Sequence, residues 1–466
     1  MKSNYNFWCL CLSTCIQKIR TLIIGCIYYK ITRLHHKFIL PPILFILLLV
    51  LCISLYQQRQ LNVISKSLLS TGSSSSYIIF NITSDNLVKI PPMNELKVKW
   101  VQNRIEKLSK KMKNVLMTKV SNLEELPQPN YRVHIFYYAW FKTPKEDGSW
   151  QHWNKELVSQ KKDHEKDKLP PEDIYSSFYP YLGCYSSKNM SIIDYHMKMI
   201  RKAGIGVVVL SWLPPSFPDS PKDVLRQLMD VALKYELKVA FQIYFYTSRT
   251  HKSIAKQIQY LMLKVGDHPS LYLLKKENKL LPVFYIHESY KHSSYVWKEM
   301  LSEKGNISLR KTKYDGTFIG HLSDQSHITE IKHASFDGLY TYSSGNGFTY
   351  GSSWKNWNSL AKFCQENTLM FIPSVGPGFS DILSIKRTRH RLKGNYYEVG
   401  WRSALSKRPS FISISSFNHW QDGSQIEPAK SKKTPTRVYL DYEPEGPLFY
   451  INLTRWWVKQ FLSSIE

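Results

Sequence analysis

From about residue 131 onward the chain repeats one pattern: short apolar runs rich in β-branched and aromatic residues. They fall at Val133–Tyr138, Gly206–Ser211, Val239–Tyr244, Pro282–Ile286, Thr317–Leu322, Gly338–Tyr342, Met370–Val375 and Phe411–Ser415. Unbroken apolar character of this kind marks parallel strands covered on both faces. Between most of them lie stretches with helical spacing: Ile192–Ala203, Lys222–Tyr235, Ser253–Val265 and Trp354–Glu366. Gly204 stands just past the first of these, where a helix C-cap belongs. Eight alternations over roughly 300 residues predict an α/β fold, a (β/α)₈ TIM-type barrel. An open doubly wound sheet is the alternative. Its dinucleotide fingerprint is missing, because Gly204-Ile205-Gly206 lacks the third glycine and precedes a strand instead of following one.

A barrel of this type carries its site at the C-terminal ends of the strands. The residues there are Tyr138 and Trp140, Ser211 and Trp212, Tyr244 and Tyr246, His287 and Glu288, then His321, Tyr342 and Ser374, and finally Asn418-His419-Trp420-Gln421-Asp422. Rings interspersed with a few polar groups suit a neutral, hydroxylated ligand. A phosphate ligand is not indicated, since no glycine-rich cradle follows the last two strands. For Trp140, Trp212 and Trp420, stacking on a sugar and packing in the core both remain open. His419 and Asp422 are three apart, but no Cys/His cluster or His-Glu-x-x-His motif completes a metal site, and no cofactor is expected.

The N-terminal part reads differently. Phe38–Tyr56 is an uncharged apolar run of about nineteen residues, the span of a bilayer's hydrocarbon core. Lys18, Arg20, Lys30, Arg33 and Lys37 precede it, and the first acidic residue of the chain is Asp85. Basic flanks stay cytosolic, so the expectation is a single-pass type II protein. Residues 1–37 would be a cytosolic tail, 38–56 the transmembrane anchor, 57–128 a lumenal stem and 129–466 the barrel. A cleaved signal peptide fits less well, because the run begins late and Tyr56-Gln57-Gln58 offers no small-residue cleavage site. The stem holds the flexible stretch Gly72–Ser76 and a predicted helix from about Asn94 to Leu116.

Five of the seven cysteines lie at or before Cys52, which leaves Cys184 and Cys364 to pair or stay free. Asn81, Asn189, Asn306 and Asn452 each begin an Asn-x-Ser/Thr glycosylation triplet, in keeping with a lumenal address. The formal net charge is +27. The basic residues are scattered, with local runs at Lys107–Lys113 and Ser431–Lys433 and no accompanying nucleic-acid motif. A solvated basic surface is therefore expected, not a nucleic-acid partner.

The segments Val133–Trp140, Asp173–Pro180, Gly204–Trp212, Asn346–Ser353 and Phe371–Gly378 resemble glycoside hydrolase family 99, the endo-α-1,2-mannosidases of the secretory pathway. The resemblance runs in order from Tyr131 to Trp457. It implies cleavage within glucosylated high-mannose N-glycans of glycoproteins, with retention of configuration and release of a glucosyl-mannose fragment. It also implies a Golgi address, which the expected anchor and stem fit. In the implied mechanism one glutamate acts as base on the sugar's own 2-hydroxyl, and a second protonates the leaving oxygen. Both belong to a Ser-Phe-Asn-Glu-Trp-X-Glu-Gly segment after strand eight. By the same resemblance Tyr138, Trp140, Trp212, Tyr246, Tyr342, Arg389, Asn418 and Trp420 are candidate substrate contacts.

Here that segment reads Ser416-Phe417-Asn418-His419-Trp420-Gln421-Asp422-Gly423, so both glutamates are replaced. Asp422 keeps a carboxyl group at the general-acid position, but one methylene, ~1.5 Å, shorter. A displacement of about 1 Å can cost on the order of 10²-fold in rate. His419 stands at the base position. A neutral imidazole can take a proton near neutral pH, but it offers no negative charge to an oxocarbenium-like centre. Tyr244 stands where the family's Ile-Glu-Pro-Tyr places a glutamate, and Leu213 where an aromatic residue packs on the distal sugar. Two functions follow: an endo-α-1,2-mannosidase-like glycosidase weakened by these changes, or a non-catalytic glycan-binding descendant. A type II glycosyltransferase would share the topology but lacks an Asp-x-Asp motif.

Overall fold

The computed structural model describes residues 126–154, 170–380, 387–435 and 437–464. Eight parallel strands form its centre: β1 Asn130–Tyr137, β2 Ile205–Trp212, β3 Lys238–Ile243, β4 Lys279–Ile286, β5 Thr317–His321, β6 Gly338–Tyr340, β7 in two parts, Met370–Ile372 and Ser374–Val375, and β8 Ile412–Ile414. All eight coincide with the apolar runs. The break in β7 falls at Pro373, which has no N–H to give the ladder. Its first part pairs with β6 (Leu339 opposite Phe371) and its second with β8 (Ser413 opposite Ser374). Ser374 N–H instead donates to Thr341 Oγ1 at 2.9 Å, and Pro373 O accepts from Ser413 N–H at 3.0 Å. Since β8 pairs in turn with β1 (Val133 opposite Ile412), the sheet closes as a (β/α)₈ barrel.

Among the described residues, apart from the four-residue helix Pro144–Asp147, eight helices follow the strands in turn: α1 Met190–Lys202, α2 Leu225–Lys234, α3 His251–Val265, α4 Ser294–Leu301, α5 His327–His333, α6 Trp357–Glu366, α7 Asn395–Leu405 and α8 Phe449–Ser463. Asn189 caps α1 by accepting from Ser191 and Ile192 N–H, and Thr250 with Ser253 forms a capping box on α3. Gly204 has φ 76°, the left-handed turn expected of it after α1. Helices α2 and α6 start three residues later than their periodicity suggests, each after a single 3₁₀ turn, Pro221–Asp223 and Trp354–Asn356.

Period-two alternation sorts the strand side chains. Phe136 of β1 touches Tyr285 of β4 and Tyr340 of β6, with ring centroids 5.5 and 5.6 Å away. These strands are not neighbours, so the contacts cross the barrel interior. The outward positions meet helices: Tyr137 Oη bonds His196 of α1 at 2.9 Å, and the Trp212 ring stacks on Tyr260 of α3. Phe241, Phe284 and Phe318 form an outer stacked row at 6.3 and 5.7 Å. The core is thus two shells, inside and outside the strands.

The tail, the apolar run 38–56, the stem and its helix 94–116, and Asn81 lie outside the described residues. Among the described residues no helix is long and apolar enough to cross a membrane. Among the described residues Cys184 and Cys364 do not pair with each other and are both free. Asn306 is exposed in the loop after α4, whereas Asn452 lies within α8 and its triplet partner Thr454 is fully buried, its hydroxyl donating to Tyr450 O at 2.6 Å.

Candidate active site at the barrel mouth

The inward positions at the C-terminal ends of the strands make one layer of rings. Tyr138, Tyr244, His287, His321 and Tyr342 supply it, from the ends of β1, β3, β4, β5 and β6. Tyr244 and His287 stack at 4.4 Å and 4°, His287 and His321 at 5.4 Å, and the Tyr138 and Tyr342 hydroxyls bond each other. Tyr342 holds φ 47°, a conformation costly for a bulky residue and one that clusters at functional sites. Burial pushes His321 down to about 3 and holds His287 well below the ordinary imidazole value, with His321, Arg249 and His419 adding to the latter. Burial also raises the Tyr138, Tyr244 and Tyr342 hydroxyls. At neutral pH this layer is uncharged, desolvated and rich in hydrogen-bonding atoms, as a site for hydroxylated ligands should be.

The loop after β8 brings His419 and Asp422 to the layer's edge. Residues 416–426 fold back on themselves: Ser416 N–H donates to Ser424 O and Ile426 N–H to Ser416 O, both at 3.0 Å. Gly423 makes this possible with φ 62°, and a Cβ there would meet Ser380 at 2.9 Å. The turn sets His419 Nδ1 3.1 Å from Asp422 Oδ1, with the side chains 15% and 23% exposed, so both reach the opening. The nitrogen is not aimed at the oxygen, so the contact is electrostatic and not a hydrogen bond. The His419 ring stands edge-on to Tyr138 at 4.5 Å and to Trp140 at 5.5 Å. Trp140 stacks on His152 at 4.4 Å, and its buried Nε1 has no hydrogen-bond partner among the described residues.

The structure therefore gathers Tyr138, Trp140, Tyr342, His419 and Asp422 at one opening and places the other candidates elsewhere. Trp212 is 0% exposed between β2 and α3, because alternation turns Ser211 inward and Trp212 outward. Tyr246 bonds Ser253 Oγ at 2.7 Å and receives Gln257 Nε2 at 3.1 Å, which ties its hydroxyl to α3. Asn418 is fully buried, with both ends of its amide bonded to the Tyr138 backbone at 2.8 Å. It pins the end of β1 to the loop after β8. Trp420 is also 0% exposed, its Nε1 donating to Glu427 Oε2 at 2.8 Å. The Arg389 guanidinium lies over Phe348 at 4.2 Å and donates to Asn346 O at 2.8 Å.

Sequence reasoning missed the support behind this wall. Glu427 is 1% exposed and accepts from Tyr185 Oη at 2.7 Å as well as from Trp420, while its other oxygen lies 3.1 Å from His196 Nε2. It also missed His152, beside Asp219 at 3.3 Å. Neither belongs to a local motif; only the fold brings their partners together. Among the described residues no three His, Cys, Asp or Glu side chains are grouped to hold a metal ion.

Residues 128–463 match Glycosyl hydrolase family 99. The chain belongs to that family. It is 45% identical over 364 residues to the mouse protein named glycoprotein endo-alpha-1,2-mannosidase, covering 74% of this chain and 79% of that one. The human glycoprotein endo-alpha-1,2-mannosidase-like protein is 42% identical over 354 residues, 72% and 76% of the respective chains. Among solved structures, the family 99 endo-alpha-mannosidase from Bacteroides thetaiotaomicron superposes with a TM-score of 0.69 at 36% identity, over 72% of this chain and 99% of that one. As a family 99 protein the chain is an endo-α-1,2-mannosidase-family glycosidase by descent, and its barrel mouth is the place to look for glycan chemistry.

Proposed function

We propose that this protein cleaves glucosylated high-mannose N-glycans at an internal α-1,2-mannosyl linkage, slowly and with retention of configuration. The carrying observation is Asp422, a carboxylate at the edge of the uncharged ring layer, beside an imidazole able to act as base. In this reading His419 takes the proton of the 2-hydroxyl as that oxygen attacks the anomeric carbon, and Asp422 protonates the departing oxygen. Trp140 and the Tyr138–Tyr342 pair bound the sugar. The proposed setting is the Golgi lumen, with the barrel held to the membrane by residues 38–56.

A second reading, a glycan binder without turnover, is favoured by one distance. His419 Nδ1 lies 3.1 Å from Asp422 Oδ1, so the two groups face each other and leave no room between them for a sugar's 2-hydroxyl and leaving oxygen. Incubating the purified chain with a glucosylated high-mannose glycan separates the two. Release of a disaccharide, lost in Asp422→Ala, supports the glycosidase. Saturable binding without release, weakened in Trp140→Ala, supports the binder.

A further inference from the structure

We propose that Ser424 and Arg391 are positioning residues for the Asp422 carboxylate. The inference rests on the reading of Asp422 as the proton donor. Asp422 Oδ1 accepts two hydrogen bonds from the same residue: Ser424 N–H at 3.0 Å and Ser424 Oγ at 2.5 Å. Oδ2 has no partner among the described residues and is the oxygen left to face a ligand.

The direction of this network follows from its ends. Ser424 Oγ also lies 3.1 Å from Ser416 Oγ, which accepts from His419 N–H at 2.8 Å. A backbone N–H only donates, and Asp422 Oδ1, which already takes the Ser424 N–H, accepts whether or not the other carboxyl oxygen carries the acid proton. The protons therefore run one way: His419 N–H to Ser416, Ser416 O–H to Ser424, and Ser424 O–H to Asp422. Both serine side chains are fully buried, so water does not compete for them. The backbone of His419 and the side chain of Asp422 are two ends of a single chain of hydrogen bonds.

Arg391 holds the pivot of that chain in place. Its Nη2 donates to Gly423 O at 2.9 Å and to Gln425 O at 2.7 Å, the carbonyls on either side of Ser424. Among the described residues no carboxylate pairs with this guanidinium. It sits instead among the rings of Phe178, Tyr450 and Tyr442, at 4.4, 4.6 and 5.0 Å from their centroids. A planar fork among three rings is a geometry that a lysine ammonium does not reproduce. On the same turn Ser380 N–H donates to Asp422 O at 2.8 Å, so backbone and carboxylate are fixed independently.

The test compares Ser424→Ala, Ser424→Thr and Arg391→Lys with the parent, by crystal structure and by steady-state release of disaccharide from a glucosylated high-mannose glycan. Ser424→Ala should swing the Asp422 carboxylate away from residue 424 and lower kcat by ~10- to 100-fold with KM unchanged. Ser424→Thr, which keeps both donors, should restore the carboxylate position and kcat. Arg391→Lys should displace residues 423–425; the serine pair decides the matter if that variant does not fold. An Asp422 carboxylate that stays in place in Ser424→Ala, or a threonine variant as slow as the alanine one, overturns the proposal. A parent without turnover would sink the glycosidase reading alone, because the crystal structures still decide whether Ser424 positions Asp422.

Discussion

Mild acid should weaken this fold before its carboxylates are neutralised. His134 and His321 are 0% and 6% exposed, and burial pushes both imidazoles from 6.5 to about 3. In the unfolded chain each binds its proton near pH 6.5, but in the folded chain only near 3. Between those values the unfolded state holds more protons, so stability is complete above 6.5 and falls as the pH falls towards 3. One pH unit is worth about 1.4 kcal/mol per group. At pH 5, then, each of the two costs about 2 kcal/mol and together about 4 kcal/mol, a large part of an ordinary stability of ~5–15 kcal/mol. His287, shifted the same way, adds to this. The assay is urea unfolding at pH 7.5 and pH 5.0, on the parent and on His321→Asn, whose amide oxygen can still accept the Glu288 N–H that His321 Nδ1 receives at 3.2 Å. The variant should lose about 2 kcal/mol less than the parent between the two pH values. Equal losses in parent and variant, or no loss in the parent, would refute the reasoning.

Three substitutions separate wall from support. Trp212→Ala should cost about 3–5 kcal/mol, seen as a fall in melting temperature, while the fraction that remains folded keeps its glycan affinity. Trp140→Ala should lower the melting temperature too, since the ring is 8% exposed and packs on Tyr138 and His152, but unlike Trp212→Ala it should also lower the glycan affinity of the folded fraction by about tenfold in calorimetric titration. Glu427→Ala leaves the Tyr185, Trp420 and His196 groups without their buried acceptor. It should destabilise the protein by about 3–5 kcal/mol, measured by chemical denaturation, with Glu427→Gln less damaging because one oxygen remains.

The barrel was legible because parallel strands covered on both faces leave an unbroken apolar signature, and all eight runs became strands. Pro373 shows the limit of that signature: the run Met370–Val375 is continuous in sequence yet its ladder changes partner at the proline. Strand ends located the mouth but did not say which of two adjacent residues turns inward. Ser211 and Trp212 are the instructive pair, since the larger ring faces α3. Asn418 and Trp420 had the right neighbours in sequence, and their polar groups are spent on Tyr138 and Glu427, partners 280 and 7 residues away. Such commitments depend on the closed barrel and leave no local trace. The replacements at 419 and 422, by contrast, were visible in sequence, and the structure adds that they touch.

The most direct test of the central claim, a glycan-cleaving mouth weakened at two positions, is the rate of disaccharide release by the parent set against the double variant His419→Glu/Asp422→Glu. Restoring the carboxylate at 419 and the missing methylene at 422 should raise the rate by at least ~10²-fold, with glycan affinity little changed. A double variant that folds, binds the glycan and releases disaccharide no faster than the parent would contradict the account.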